Sequence, residues 1–410
     1  MNGNTTNGDN GNGGSGGNDD IPIIDFSPWV TKVTDDMSEE EIQQLEENKT
    51  NVSKQIFDAF RTIGFISIIN HGIDDDTDGE EGGNITQKAF RMSELFFKRP
   101  REYKMKYIYK DQKSNRGYIA MGQEKLDANL PDIKETFDIG YEYDTTYKNE
   151  WPDDINIIDD ENGVSLSFRD VMLEYFTKYD QLHLSILRAL ARGMNLPSTT
   201  TGTDGDDDYF TPLCNGNHQN LRLLHYPTCK RSQITKFGQK RGGIHTDYGT
   251  ITLVSQNGVS GLIAQSLAGK WIPVPPINGG IVVNVGEMLQ RWSNDILRAT
   301  PHQILDDNTK LLDEGNGDDE NDEDDDENDE DDMVPERYSI AFFCNANKET
   351  TLECLPVCTS EENPPKYEPI NAYEYLTQRL TTTIGTTSTS TSTSTSSSGT
   401  TTTSTSTSTY

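Results

Sequence analysis

Residues 243–256 read GIHTDYGTITLVSQ and combine a closely spaced histidine and aspartate with a β-rich run. Side chains two residues apart on an extended strand point to the same face. The imidazole of His245 and the carboxylate of Asp247 are therefore expected to converge on one point. The β-branched run Thr250–Gln256 that follows predicts a strand. This stretch thus predicts a β-structure that carries candidate metal ligands.

His302 is the candidate for a third ligand. It lies in TPHQIL (residues 300–305), which opens another β-like run. Two histidines and one carboxylate on one side of a metal leave open positions opposite, an arrangement typical of non-haem Fe(II) oxygenases. His and Asp two apart are frequent by chance, so the alternative that these are ordinary surface or core residues remains open at this point.

Arg337 and Ser339 form a second informative pair. The two-residue period of a strand puts the guanidinium and the hydroxyl on one face of the run that starts here. A guanidinium offers a planar fork that matches a carboxylate, and serine adds a further donor. The pair predicts a carboxylate-binding site, with an ion pair between Arg337 and a surface acid as the alternative.

The surrounding chain predicts the architecture. Short β-rich runs separated by Gly, Pro and Asn are typical of a sandwich or jelly-roll barrel. They are Leu221–Tyr226, Gly261–Ala264, Trp271–Val274, Gly280–Val285 and Tyr338–Cys344. Upstream, helical patterns cover Ser38–Arg61, Gln87–Phe97 and Ser167–Arg192, with an extended segment at Ile21–Phe26 and a strand-like run at Gly64–His71. We expect an α-rich front half that leads into an all-β back half.

Composition narrows the function classes. The chain has 410 residues and only 32% hydrophobic residues, with a formal net charge of -33. That charge argues against binding to nucleic acid or to anionic membranes, which favour clustered Lys and Arg. No apolar run approaches the ~18–20 residues of a membrane span. Five cysteines, odd in number and irregularly spaced, favour a reducing, cytoplasmic setting without a disulfide framework.

Several ordered blocks of the chain resemble the 2-oxoglutarate/Fe(II)-dependent dioxygenases of the isopenicillin N synthase-like superfamily. The resemblance runs from Ile21 to about Leu380 and includes H-x-D, a distal His and R-x-S in that order. The blocks include IPIIDFSPW (21–29), IGFISIINHGI (63–73), LRLLHYPTC (221–229), HTDYGTITLVSQ (245–256), TPHQIL (300–305) and ERYSIAFFCNAN (336–347).

The resemblance implies a mainly β fold with α elements: a double-stranded β-helix (jelly-roll) core preceded by an α/β N-terminal region with flanking helices. It implies Fe(II) held by His245, Asp247 and His302. It also implies 2-oxoglutarate bound by Arg337, Ser339 and Tyr226, with ascorbate as reductant. A small organic molecule and O2 are the implied partners, 2-oxoglutarate is decarboxylated to succinate, and we expect a monomer.

The predicted organisation has five parts. Residues 1–20 are an Asn/Gly-rich tail, 21–140 an N-terminal oxygenase region, and 141–212 a helical connector with a loop insertion. The Fe(II)/2-oxoglutarate domain spans 213–380, and 381–410 form a Thr/Ser-rich tail. An insertion at 306–332 holds 17 acidic residues and one lysine. Both tails and this insertion are too polar to bury a core, which predicts disorder.

Three alternatives remain beside this reading. An iron oxidase of the same fold would not use 2-oxoglutarate. A zinc hydrolase would need a general-base Glu, and no H-E-x-x-H occurs. A non-catalytic binding module would be expected to lack a ligand or the arginine. His71 and His183 are expected to be structural, and His218 and His225 are expected to be neighbouring or substrate-side residues instead of metal ligands. Cys354 and Cys358 lie four apart without partner histidines nearby, so no zinc site is expected there. Arg116 and Lys134-Glu135 either approach the mouth of the cavity or only form ion pairs.

Overall fold

The computed structural model describes residues 20–74, 83–111, 114–124, 130–159, 164–197, 208–235, 239–305 and 333–383. Its strands are β1 (Ile23–Asp25), β2 (Phe65–Ile69), β3 (Gly117–Ile119), β4 (Glu135–Gly140), β5 (Asn156–Asp159), β6 (Val164–Ser167), β7 (Asn220–Tyr226), β8 (Cys229–Lys230), β9 (Gly242–His245), β10 (Ile251–Gln256), β11 (Leu262–Gln265), β12 (Trp271–Pro273), β13 (Ile281–Val285), β14 (His302–Ile304), β15 (Met333–Val334), β16 (Arg337–Phe343), β17 (Thr351–Leu352) and β18 (Ile370–Asn371). Its α-helices are α1 (Ser27–Val30), α2 (Glu39–Thr62), α3 (Ile85–Phe97), α4 (Arg101–Lys104), α5 (Phe168–Gly193), α6 (Thr211–Cys214), α7 (Arg231–Thr235), α8 (Glu287–Trp292) and α9 (Ala372–Thr383).

Two sheets make the jelly-roll core. The major sheet has the strand order β1-β2-β13-β10-β16-β7-β4-β3, and the minor sheet has the order β12-β11-β14-β9. Apart from the parallel pair β1–β2, neighbouring strands in both sheets run antiparallel. Apolar side chains from both sheets, such as Phe65 and Val282 from the major sheet and Leu262 and Ile304 from the minor one, form one buried cluster. The space between the sheets is therefore lined by a dry layer.

Long helices cover the other face of the major sheet. Helix α2 starts at a capping box in which Ser38 accepts from the Glu41 amide, and α3 starts at an equivalent box between Asn84 and Gln87. These caps satisfy amide groups that a helix start leaves without partners. Helix α5 packs against α2 and α3 and buries an apolar stripe on the sheet.

The sequence predicts the long helices and most back-half strands to within a few residues, but one expectation needs correction. The back half is not all β, because it also contains α7, α8 and α9. The two strand-like runs predicted in the front half form β1 and β2, which join the same sheet as β10, β13 and β16. The β5–β6 hairpin was also not predicted.

Some predictions fall on residues outside the described ranges: the tail at 1–19, the insertion at 306–332 and the tail from 384 onward. Helix α9 continues to Thr383, so the first three residues of the predicted Thr/Ser tail are helical. Within the described ranges, no helix combines the length and apolar character that crossing a bilayer requires.

Candidate metal centre

His245, Asp247 and His302 meet between two strands of the minor sheet. His245 ends β9 and is paired directly with His302 at the start of β14. Their ring centroids lie 4.3 Å apart. An Asp247 carboxylate oxygen lies 3.8 Å from Nε2 of His245 and 3.9 Å from Nε2 of His302. One ligand atom from each residue thus falls within 4.8 Å of the others, as the His245–Asp247 spacing predicted.

Both imidazole rings are fixed by their Nδ1 atoms. Nδ1 of His245 lies 2.8 Å from the Gly243 carbonyl oxygen, and Nδ1 of His302 lies 3.0 Å from that of Thr300. A carbonyl oxygen only accepts hydrogen bonds, so each Nδ1 carries the proton and donates it. The nitrogen of each ring left to bind a metal is therefore Nε2, which points to Asp247.

The charge states of His245 and Asp247 also suit a cation. Burial and the neighbouring His302 lower the pKa of His245 to about 3. Burial alone would raise the pKa of Asp247, but His302, His245 and the amide of Asn284 lower it below its ordinary value. Asn284 donates to Asp247 Oδ2 at 2.7 Å. At neutral pH the cluster presents one carboxylate and a neutral His245.

The loop that carries Asp247 is anchored through Glu287. The Glu287 amide donates to the Asp247 carbonyl oxygen at 2.8 Å. The Glu287 carboxylate accepts from the Tyr375 hydroxyl at 2.8 Å and from Arg379 at 2.7 Å. Helix α9 near the end of the described chain therefore helps to hold the loop in place.

Arg337 lies deep in the same sandwich. Its side chain is fully buried, and its guanidinium donates to Ser339 Oγ at 3.1 Å, to Gln256 Oε1 at 2.9 Å and to the Val259 carbonyl oxygen at 3.2 Å. Tyr226 is paired with Arg337 across β7 and β16, and its ring lies 5.1 Å from the guanidinium carbon. The three residues predicted to bind a carboxylate are therefore neighbours.

A buried ionic network reaches the metal centre from β4 and β7. Asp138 accepts two hydrogen bonds from Arg222, whose Nη1 donates to Glu124. Lys134 contacts Glu124 and Asp132 at 3.2 and 2.8 Å. Asp132 in turn accepts a hydrogen bond from the Gly243 amide, and the carbonyl of the same Gly243 accepts from Nδ1 of His245. Lys134 therefore forms ion pairs inside the sandwich.

Several supporting residues were not found by sequence reasoning. Asn284 on β13, Gln256 on β10 and Glu287 on α8 contact the candidate ligands from other elements of the fold. Asn284 and Glu287 fall in the local motif VNVGE (283–287), but which candidate ligand each residue contacts follows from how distant elements pair. A polar residue within a buried strand, such as Asn284 in IVVNV, is the signal that was available.

The remaining candidates lie outside the triad. His71 contacts the Gly279 carbonyl oxygen at 3.0 Å and accepts from the Ile73 amide, which suits a structural role. His183 is buried on α5 beside Asp180. The two cysteines Cys354 and Cys358 are buried free thiols. Among the described residues, the converging group of possible metal ligands is His245, Asp247 and His302.

Two family models match this chain. The N-terminal model of a non-haem dioxygenase in morphine synthesis matches residues 21–154. The 2OG-Fe(II) oxygenase superfamily model matches residues 217–346, which include the triad and the arginine. Together they cover more than half of the chain.

Individual proteins agree with the family models. A 2-oxoglutarate-Fe(II) type oxidoreductase of Metarhizium rileyi is 33% identical over 348 residues, covering 81% of this chain and 86% of the relative. A proline hydroxylase of Petromyces alliaceus is 33% identical over 340 residues, covering 80% of this chain and 92% of that relative. A full-length Neurospora crassa protein, crystallised in complex with alpha-KG and thymine, is 34% identical. The match covers 88% of this chain and 97% of that chain, and the two structures superpose with a TM-score of 0.67.

Proposed function

The chain belongs to the 2-oxoglutarate/Fe(II)-dependent oxygenases, and from that premise we propose that His245, Asp247 and His302 hold the Fe(II). The observation that carries this assignment is the convergence of two Nε2 lone pairs and one carboxylate oxygen within 4.8 Å. Two imidazoles and one carboxylate suit a divalent first-row transition metal. The hydrogen bonds from each Nδ1 to the main chain fix the ligand tautomers, as is usual for metal-binding histidines.

Arg337, Ser339 and Tyr226 are assigned to the far carboxylate of 2-oxoglutarate. Support comes from the full burial of the Arg337 guanidinium and from its 3.1 Å hydrogen bond to Ser339. A buried guanidinium fork suits a carboxylate because two parallel N–H groups can face its two oxygens. Gln256 and the Val259 carbonyl hold the fork in one orientation.

When bound, Fe(II) and 2-oxoglutarate together supply the oxidation of a C–H bond by O2, with 2-oxoglutarate converted to succinate and carbon dioxide. The chain contributes position and exclusion of water. The apolar layer between the sheets keeps the interior dry, while the His245 side chain remains 26% exposed, against 9% for His302 and 5% for Asp247. His245 therefore faces the more open side of the centre.

The enzyme oxidises a small organic molecule, and hydroxylation is the proposed outcome. Similar proteins include a proline hydroxylase and a protein solved with thymine, so a small polar ring compound is the proposed substrate range. The proposal extends to ascorbate as the reductant, a monomeric state and a cytoplasmic location. The five cysteines, all free thiols, support a reducing compartment.

The test uses the metal-free protein under argon. We expect one Fe(II) per chain by equilibrium dialysis, and succinate release on admission of O2 that depends on added 2-oxoglutarate and is sustained by ascorbate. Iron uptake with O2 consumption that does not depend on 2-oxoglutarate would instead indicate the oxidase of the same fold. Failure to take up Fe(II) would contradict the metal assignment.

A further inference from the structure

A cavity of about 560 Å³ opens where β7 begins and β16 ends. Its walls include Arg116, Asn220, Asn345 and Tyr373, and helix α9 forms one side. None of the three proposed iron ligands lines it, so the Fe(II) assignment does not account for it. A volume of several hundred cubic ångströms suits a small organic ligand.

Two amide oxygens at this cavity lack hydrogen-bond partners among the described residues. Asn220 donates through Nδ2 to Asp138 at 2.8 Å, and Gln219 donates through Nε2 to the Cys214 carbonyl at 2.8 Å. A carboxylate and a carbonyl only accept, so these contacts fix which end of each amide is the NH2 group. Oδ1 of Asn220 and Oε1 of Gln219 are buried without a donor. A buried acceptor without a donor is costly and calls for a specific explanation.

Arg116 supplies hydrogen-bond donors at the same cavity. Its Nη1 donates to the carbonyl oxygens of Ser114 and Asn115 at 3.0 and 2.9 Å, and its buried Nε has no partner among the described residues. The guanidinium lies over Gly140, where a Cβ would fall 1.7 Å from its central carbon. Gly140 is paired with Asn220 across β4 and β7. The guanidinium and the Asn220 amide therefore occupy neighbouring positions at one end of the major sheet.

The cavity adjoins the loop that carries Asp247. Asn345 lines the cavity, and its Oδ1 lies 2.9 Å from where a Cβ on Gly249 would be. Gly249 is two residues after Asp247. On the other wall, α9 is joined through Tyr375 to Glu287, whose amide binds the Asp247 carbonyl. Both walls thus attach to the proposed Fe(II) loop.

We propose that this cavity binds the substrate to be oxidised, and that Asn220, Gln219 and Arg116 select a neutral cyclic amide, imide or ureide. This inference rests on the proposed function. Two buried acceptors require N–H donors from the ligand, and the Arg116 Nε requires a carbonyl oxygen. A ring that carries N–H and C=O side by side presents both.

The charges at the cavity disfavour an amino acid. An ammonium group would need a carboxylate partner when buried. Asp138 already accepts from Arg222 and Asn220. Asp144 accepts from the amides of Thr146 and Tyr147 and lies 3.7 Å from Arg116. Asp144 is therefore engaged, Asp111, the other carboxylate of the lining, is exposed at the surface, and the buried acceptors without partners are neutral amide oxygens.

The test compares two ligands of nearly the same shape on the wild-type protein with Fe(II) and 2-oxoglutarate under argon, by isothermal titration calorimetry. Uracil carries two N–H groups and two carbonyls, and 1,3-dimethyluracil lacks both N–H groups. We expect uracil to bind and the dimethyl compound to bind roughly 10- to 100-fold more weakly, because two buried acceptors stay without donors. L-Proline serves as the zwitterionic comparison and is expected to bind weakly.

Variants then test whether these residues cause the difference in affinity. Asn220→Leu and Gln219→Met keep the approximate side-chain size but remove an acceptor, so each should weaken uracil binding and reduce the difference in affinity between uracil and dimethyluracil. Gln43→Met, on the exposed surface of α2, is the matched control and should change neither the affinity for uracil nor that difference. Circular dichroism reports whether each variant is folded, and the wild-type ligand comparison does not depend on them.

The failures are distinguishable. Loss of 2-oxoglutarate-dependent succinate release in wild type would contradict the proposed function. If that activity is present, three results would each overturn the proposed substrate site. They are equal binding of uracil and dimethyluracil, no uracil binding at millimolar concentration, and tighter binding of L-proline than of uracil.

Discussion

Two clusters of histidine and carboxylate lie in different parts of the fold, and they differ in the partners of the histidine ring nitrogens. In the triad, each Nδ1 is bound to a main-chain carbonyl and each Nε2 faces Asp247. In the second cluster, named here the His225 cluster (His225, Glu135, Glu336 and Lys104), Nδ1 meets Glu135 at 2.7 Å and Nε2 meets Glu336 at 2.8 Å.

The His225 cluster already contains a cation, Lys104. Despite burial, hydrogen bonds from His225, Lys104 and Tyr118 lower the pKa of Glu135, and hydrogen bonds from His225 and Tyr338 lower that of Glu336. Both ring nitrogens of His225 are thus engaged by carboxylates within the cluster, and neither faces an open point. The triad, by contrast, presents lone pairs and a carboxylate to a point where a cation can bind. The same residue types thus form an ion-pair cluster in one place and a candidate metal site in the other.

Removing a triad ligand should produce the largest effect. We expect Asp247→Ala and His302→Ala each to weaken Fe(II) binding by ~100-fold or more, since even a residue that only orients a ligand is typically worth 10–100-fold. Equilibrium dialysis under argon measures the iron, and succinate release measures turnover.

His225→Gln is the matched control for the triad variants. It also removes a buried imidazole, but from the cluster that needs no metal, and should leave Fe(II) uptake intact. If His225→Gln lost iron while His302→Ala retained it, the distinction between the clusters would be wrong.

Sequence periodicity predicted which residues share a face but not which elements meet. It placed His245 with Asp247 and Arg337 with Ser339, and both pairs converge in the structure. The pairing of His302 with His245 depends on how β14 and β9 come together. That information is not local, so spacing alone could only offer His302 as a candidate.

Strand β4 shows a second limit. All six of its residues, Glu135–Gly140, are buried although Glu135 and Asp138 are acidic. Hydrophobic patterning does not predict a buried strand that carries charges. Here Lys104 binds Glu135, and Arg222 binds Asp138 with two hydrogen bonds. The partners that make this burial possible lie far away in sequence.

Arg337→Leu should give the next largest effect and separate co-substrate binding from metal binding. Truncating one partner of a buried charge pair typically costs ~2–5 kcal/mol, or about 30- to several-thousand-fold in affinity. We expect the KM for 2-oxoglutarate to rise by that factor while Fe(II) still binds.

Tyr226→Phe provides a graded comparison for Arg337→Leu, because it removes one hydrogen bond to a charged group, worth ~1.5–3 kcal/mol. Unchanged dependence on 2-oxoglutarate in Arg337→Leu would favour the oxidase that does not use it.

A change in the His225 cluster should affect stability instead of iron. Glu135→Gln removes the negative charge that pairs with Lys104 and contacts His225, and should lower the free energy of unfolding by about 2 kcal/mol at pH 7. The pKa of Glu135 lies below its ordinary 4.5, so its stabilising contribution is present above that value and is lost as the pH falls through the folded-state pKa.

Urea unfolding of wild type and Glu135→Gln at pH 7 and below pH 4 measures this contribution. The difference in unfolding free energy should shrink at the lower pH, and Fe(II) uptake at pH 7 should match wild type. A difference that grows on acidification would show that Glu135 is protonated in the folded protein at neutral pH.

The smallest effect is expected from changing the acidic insertion at residues 306–332, called the acidic segment below. It joins β14, which carries the proposed iron ligand His302, to β15 and then to Arg337. The segment itself lies outside the described residues, but both flanks are anchored. The Leu305 amide donates to the Gly261 carbonyl at 2.8 Å, and Val334 is buried and paired with β8. Loop closure costs only ~0.6 kcal/mol per doubling of length. Length alone should therefore matter little to the site.

We expect replacement of residues 313–332 by a short Gly/Ser linker to leave Fe(II) binding and 2-oxoglutarate turnover without added substrate within a few-fold of wild type. A second variant that changes the acids of the segment to Asn and Gln at constant length separates the effect of charge from that of length. The anchored flanks keep His302 and Arg337 in place in both variants. Loss of iron, or a collapse of turnover while circular dichroism stays unchanged, would show that the segment belongs to the active site and that the triad is not complete without it.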